Sequence, residues 1–215
     1  MTWRAVVASC ALLLVACSHK AGSEANAAAA SSSAERLAKL PLDAGTSRIE
    51  YTFSSAGESK LSFTGVDVAG KRVGSFATFS GSITVANGDP EQASVSVDID
   101  MKSLSTDDAQ LTAELESAHF FDVERYPRAH FGSSSVEQGG VLGATDTVKG
   151  TLELHGRSQA VEIPSTLHVR PNGVDVDAEL TIRRRDFGLR LPGKRDVLVE
   201  DAVTLELLVV ALPKQ

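Results

Sequence analysis

The chain is poor in the residues that carry covalent chemistry and in those that bind by charge. Of its 215 residues only 2 are cysteine, Cys10 and Cys17, too few for a disulfide-stapled scaffold or a thiolate metal site. The 5 histidines stand at 19, 119, 130, 155 and 168, none with a second His or Cys at ligand spacing. A basic excess is missing too: 21 Lys and Arg face 28 Asp and Glu, a net charge of −7. That balance argues against general nucleic-acid binding and against adhesion of the whole surface to anionic lipid. There is no Gly-rich phosphate loop and no Gly-x-Ser-x-Gly elbow. Asp186-Phe187-Gly188 therefore matches the kinase metal-binding tripeptide in letters only. No nucleophile stands beside a base, and the chain reads as non-enzymatic, without metal or cofactor.

The one long stretch of small and apolar residues, Ala5 to Ala16, follows Arg4 at the N-terminus. It has the pattern of a signal peptide and is too short for a stable membrane anchor. Its end, Leu14-Val15-Ala16-Cys17, resembles the lipobox of bacterial lipoproteins. The resemblance implies a lipoprotein signal peptide over 1–16, cleavage before Cys17, and acylation of that cysteine; the bland reading is an ordinary secretory signal with Cys17 unmodified. Cleavage also removes Arg4, Cys10 and the single tryptophan, Trp3, so one cysteine remains and the net charge falls by one further unit. An exported protein of this kind is held by its core rather than by covalent staples. Ser18 after the cysteine resembles the outer-membrane sorting pattern, which implies a periplasm-facing, lipid-anchored protein of the bacterial envelope. Residues 17–40 continue as an Ala- and Ser-rich tether, with a reach of roughly 25–30 Å if flexible.

From residue 41 to 215 there is no second linker and no repeat, and the dominant period is two. Ala93-Ser-Val-Ser-Val-Asp-Ile-Asp-Met101 and Val174-Asp-Val-Asp-Ala-Glu-Leu-Thr-Ile182 alternate without error. Ile49 to Phe53, Val148 to Leu154 and Val203 to Leu207 are shorter versions. Alternation places one face in an apolar interior and one in water, the mark of antiparallel sheet. Pro171-Asn172-Gly173 and His155-Gly156-Arg157-Ser158 separate three consecutive strands into a meander, Asn-Gly being read as a turn in which both residues take positive φ. With segments near 48–54, 59–66, 72–86, 93–101, 128–136 and 202–212 this predicts eight or nine strands, enough for a barrel or a sandwich. One interval departs from the rhythm. Ser105-Thr106-Asp107-Asp108 offers capping residues, Leu111 and Leu115 follow at i,i+4 spacing, and Pro127 forbids continuation, so one short helix is predicted over about 107–117.

Two stretches stand out as candidate sites. Leu115 to Phe131 crowds Phe120, Phe121, Tyr126 and Phe131 together; these rings either seat the helix against the sheet or line a ligand passage. Arg183 to Asp196 sets Arg183, Arg184, Arg185, Arg190, Lys194 and Arg195 against Asp186 and Asp196. Alternation through Ala178, Leu180 and Ile182 turns Arg184 inward, where an unpaired charge is costly. It must either pair with Asp186 or another carboxylate and with backbone carbonyls, or meet the polar head group of a ligand.

Four separated segments together resemble the YceI-like lipid-binding proteins: Asp100-Met-Lys-Ser-Leu-Ser-Thr-Asp107; Leu115 to Pro127 with Phe131 following; Gly150-Thr-Leu-Glu-Leu-His-Gly156; and Ile182-Arg-Arg-Arg-Asp-Phe-Gly188. Arg183 stands where that family usually has Asn, and the tryptophan often found near Leu42 is missing. The resemblance implies an all-β fold, an extended eight-stranded antiparallel barrel, lipocalin-like, with an apolar channel for a polyisoprenoid, isoprenoid quinone or related long-chain lipid. In this sequence the channel residues would be Ile49, Tyr51, Phe53, Phe63, Phe76, Phe79, Val97, Ile99, Phe120, Phe121, Phe131, Leu152, Leu154, Leu180, Ile182 and Phe187, with Arg184 as the head-group candidate. Alternation by itself leaves open whether the interior is hollow or filled, and a packed interaction barrel without a ligand is the competing reading.

Overall fold

The computed structural model describes residues 47–141 and 143–215; the expected signal peptide, Cys17 and the tether lie outside the described residues. The strands are β1 (Arg48–Ser54), β2 (Lys60–Asp67), β3 (Gly70–Phe76), β4 (Phe79–Ala86), β5 (Asp89–Asp100), β6 (Leu104–Thr106), β7 (Arg128–Gln138), β8 (Asp146–Leu154), β9 (Arg157–Arg170), β10 (Gly173–Arg183) and β11 (Ala202–Pro213). The helix, α1, spans Ala109–Glu116. All pairings are antiparallel, and the order β1-β4-β5-β7-β8-β9-β10-β11 closes on itself through β1 and β11.

Eleven strand segments thus make an eight-stranded barrel. Both β1 and β2 pair with β11, so they are the two halves of one long, interrupted strand. Likewise β3 and β4 pair with β2 and β1, and β6 and β5 pair with β3 and β4. Where the sequence predicts an unbroken strand over 72–86, the chain breaks at Ala77 and Thr78. Their N–H groups donate instead to the carbonyl and the Oγ of Ser103, each at 3.0 Å. Ser103 ends a 3-10 turn, Met101–Ser103, that interrupts the facing strand at the same level.

The inward row of β10 is Val174, Val176, Ala178, Leu180 and Ile182, and its outward row carries Asp175, Asp177, Glu179 and Thr181. Apolar within and polar without is the reverse of a membrane-spanning barrel. The helix is shorter than predicted because Asp108 is its N-cap: its carboxylate accepts from the N–H groups of Gln110 and Leu111 at 2.8 and 3.3 Å. Thr106 then belongs to β6, with its N–H donating to Thr112 Oγ1 at 3.0 Å.

The β9–β10 hairpin forms as predicted, but not through positive φ at Asn172 and Gly173. Gly173 is needed for space, since a Cβ there would stand 2.8 Å from the Ala211 carbonyl oxygen. Positive φ is used at Asn87–Gly88 and His155–Gly156, with φ of 57°, 71°, 51° and 68°, the pattern of a type I′ hairpin turn.

The turns after β4, β7 and β9 gather at one end of the barrel, and the helix, the β2–β3 and β8–β9 turns and the long β10–β11 connection gather at the other. At the first end Tyr51, Ile83, Val85, Val136, Val174, Val209 and Ala211 are almost wholly buried and fill the interior. Each large apolar side chain so buried contributes on the order of 1.5–3 kcal/mol. The barrel is a solid plug there.

Candidate functional site

Toward the helical end the same alternation no longer fills the space. A cavity of about 220 Å³ is walled almost entirely by apolar side chains from β2, β3, β5, β7, β8, β9, β10, β11 and α1. Of the residues expected to line a channel, Phe63, Phe76, Val97, Ile99, Phe120, Phe121, Phe131, Leu152, Leu154, Leu180 and Ile182 reach it. Tyr51, Phe53, Phe79 and Phe187 are buried but belong to the packing around it, and Ile49, 43% exposed, lies at the plugged rim. For Tyr51 and Ile49 the reason is the level along the barrel axis, whereas Phe187 lies in the 3-10 turn outside the strands. Period two tells which face a side chain takes and says nothing about which end it occupies. Further lining residues such as Leu61, Val95, Leu111, Leu115, Val148, Ile163, Leu167, Val176, Val203, Leu205 and Leu207 were legible as apolar positions, but were not among the channel residues expected.

Three pairs show how room is made. Phe63 and Phe53 lie over their cross-strand partners Gly74 and Gly81, where a Cβ would come within 2.3 Å of either ring. The Phe131 ring covers Gly150 in the same way, at 2.7 Å. Each ring takes the space that a side chain at its glycine would fill. At the helix exit Phe120 and Phe121 meet edge to face with centroids 4.9 Å apart, and both face the cavity. Tyr126 instead packs on His155 of the β8–β9 turn, centroids 4.5 Å apart. The aromatic stretch therefore divides its work: Tyr126 packs on the β8–β9 turn and the phenylalanines line the cavity.

Arg184 is 1% exposed, in the 3-10 turn that follows β10. Its Nε donates to the Glu200 carbonyl at 3.0 Å, Nη1 to the Leu189 carbonyl at 2.8 Å and to Asp196 Oδ1 at 2.5 Å, and Nη2 to the carbonyls of Asp196 and Val199 at 2.9 and 3.1 Å. A guanidinium has five N–H donors, so all are used by the protein itself. The carboxylate partner is Asp196 rather than Asp186. Arg184, the head-group candidate, borders the cavity, and its donors organise the 184–201 connection over the barrel end. Burial works to raise the Asp196 carboxyl, but hydrogen bonds from Arg184 and the Leu191 N–H, with the charges of Arg184 and Arg185, outweigh it and hold the group below the usual carboxylate range.

Partly exposed polar lining comes from the β2–β3 hairpin and α1: Asp67, Arg72 and Glu114. This marks the mouth. Arg72 Nε donates to Asp67 Oδ2 at 2.9 Å; that bond keeps the Asp67 carboxyl below its ordinary range, against a smaller opposing effect of burial. Period two did not single these residues out, because Asp67 and Arg72 flank a tight turn and Glu114 lies in the helix.

Elsewhere polar groups are placed for structure. His130 Nδ1 lies 3.0 Å from Asp98 Oδ1, a cross-strand pair on the outer wall, and His155 Nδ1 lies 3.1 Å from the Phe187 carbonyl. Among the described residues no group of three His, Cys, Asp or Glu side chains is arranged to hold a metal ion.

Comparison with known proteins follows the same lines. Residues 42–211 match the sequence model of the YceI-like domain. A UPF0312 protein of Pseudomonas putida (strain W619) is 32% identical over 139 residues, covering 62% of this chain and 71% of that protein. Among solved structures, Burkholderia cenocepacia BcnA superposes with a TM-score of 0.66 at 25% identity, over 74% of this chain and 98% of that one. A polyisoprenoid binding domain from Saccharophagus degradans gives a TM-score of 0.58 at 15% identity, over 78% of this chain and all of the other; it shares the fold.

Proposed function

The chain belongs to the YceI-like domain family, and from that premise we propose that its barrel binds the apolar chain of a long amphiphile without transforming it. The ligand class is a polyisoprenoid, an isoprenoid quinone or a related lipid, held for storage or transport in the bacterial envelope. The observation that carries this reading is the cavity: a barrel plugged at one end and hollow at the other, with apolar walls and polar side chains gathered at the mouth. Such a vessel suits a molecule with a long apolar tail and one polar end, since each Å² of apolar surface removed from water contributes about 25 cal/mol. The Saccharophagus degradans domain, a polyisoprenoid binding domain of the same fold, supports the ligand class. Acylation of Cys17 would hold the domain on the periplasmic side of a membrane, the outer membrane by its Ser18 neighbour, with residues 17–40 as tether.

The test is mass spectrometry of an organic extract from the native, membrane-derived protein, beside native mass spectrometry of the chain from Ser18 to Gln215. A stoichiometric long-chain lipid distinct from acyl groups on Cys17 is expected. A domain that is empty and also refuses added polyprenols and quinones overturns the proposal and leaves a packed interaction module.

A further inference from the structure

The cavity ends inside the barrel, and the pairing registers show where. Val95 on β5, Val148 on β8 and Val176 on β10 line it, whereas their direct cross-strand partners Ile83 on β4, Val136 on β7 and Val209 on β11 do not. Those three partners are 0%, 4% and 3% exposed and belong to the packed end. Beyond them Val174, the next inward residue of β10, and Tyr51, the partner of Ile83, are buried just as deeply. The boundary between hollow and filled interior therefore falls between paired residues on three separate parts of the wall, at a floor made by Ile83, Val136 and Val209.

The space above this floor is small. Its volume of about 220 Å³ corresponds to roughly seven or eight groups of the ~30 Å³ that a water molecule takes in the liquid. Its depth follows from β10, whose inward residues Val176, Ala178, Leu180 and Ile182 all line it. That stretch runs roughly 20 Å along the strand, or about 15 Å along the barrel axis at the usual strand tilt. An extended chain advances about 1.2 Å per bond, so about a dozen carbons reach from mouth to floor. Volume and depth agree on a single file of roughly eight to twelve carbons, with no room for a second chain beside it.

We infer that Ile83, Val136 and Val209 set the length of tail this barrel takes: one apolar chain enters end-on, stops against them after on the order of eight to twelve carbons, and carries any further length at or outside the mouth. Burial favours only the atoms removed from water, so carbons beyond the reach of the floor add little affinity. The floor resists being pushed down, because further methylenes forced into a filled core displace side chains that are already close-packed. The inference rests on the lipid-binding reading above and narrows it from a class of chain to a length of chain.

The chain from Ser18 to Gln215 suits the test, because every ladder that closes the barrel lies between residues 48 and 213. It is titrated calorimetrically with the primary alkanols from butanol to tetradecanol. Affinity is expected to rise about fourfold with each added methylene at first and to level off between octanol and dodecanol. Val209→Ala should move the levelling point to longer chains by about one or two carbons, and Val176→Phe, which raises the floor, should move it to shorter ones by about two. Circular dichroism melting checks the fold of both variants, and either one, folded, decides the assignment. A rise that continues unbroken to tetradecanol overturns the stop and leaves the lipid-binding reading standing. A levelling point that neither substitution moves overturns its assignment to this floor. Failure to bind any of the alkanols overturns the lipid-binding reading itself.

Discussion

The Phe63 ring lies against Gly74, its direct partner across β2 and β3, so closely that a Cβ on Gly74 would stand 2.3 Å from the ring edge. Phe63 lines the cavity, and it can hold this position only where its neighbour has no side chain.

Gly74→Ala is therefore expected to swing Phe63 off the wall and into the cavity, at a cost of about 1–3 kcal/mol. Urea denaturation measures the loss. The double variant with Phe63→Leu should recover much of it, a non-additivity that two independent sites would not give.

Ala178 presents a small side chain to the cavity from β10. Ala178→Phe is expected to fill the space while the barrel still folds. Lipid recovered by extraction should fall at least about tenfold, equivalent to about 1.4 kcal/mol of binding. Unchanged lipid content with an unchanged circular dichroism spectrum would show that the tail does not lie there.

Arg184→Met leaves four backbone carbonyls and the Asp196 carboxylate without their shared donor. The expected loss is roughly 3–5 kcal/mol in global stability, as for breaking a buried ion pair. Arg184→Lys keeps the charge but has three donors rather than five and should fall between. If the lysine variant keeps full stability yet holds no lipid, Arg184 touches the ligand after all.

The depressed Asp196 carboxyl makes an acid prediction with a definite sign. Its pKa is lower folded than unfolded, so across the interval between the two the unfolded chain binds more protons. The stabilisation is present above the unfolded carboxylate value of about 3.9 and is lost as pH falls through the lower folded value. Asp196→Asn should be less stable at neutral pH and should show a shallower loss over that acid range, read from urea midpoints at a series of pH values.

Much of this protein is legible without coordinates. Alternation in Ala93 to Met101 and Val174 to Ile182 determines which side chains face inward, because a strand turns every second residue to the same face. The composition, low in cysteine and in basic charge, argues against disulfide staples and against general nucleic-acid binding. The resemblance carried by four separated segments pointed to the eight-stranded barrel and a lipid-sized interior.

The tertiary structure decided what depends on position along the barrel axis and on partners distant in sequence. Tyr51 and Phe63 have the same inward parity, yet one fills the plugged end and the other borders the hollow. Nothing in either strand distinguishes them, since the difference lies in which of two stacked levels each occupies. For Arg184 the sequence offered pairing with Asp186 or another carboxylate and with backbone carbonyls, or contact with a ligand head group. The structure identifies the partners as Asp196 and four carbonyls, because a charge buried at that depth needs its donors satisfied and the folded β10–β11 connection brings those acceptors together.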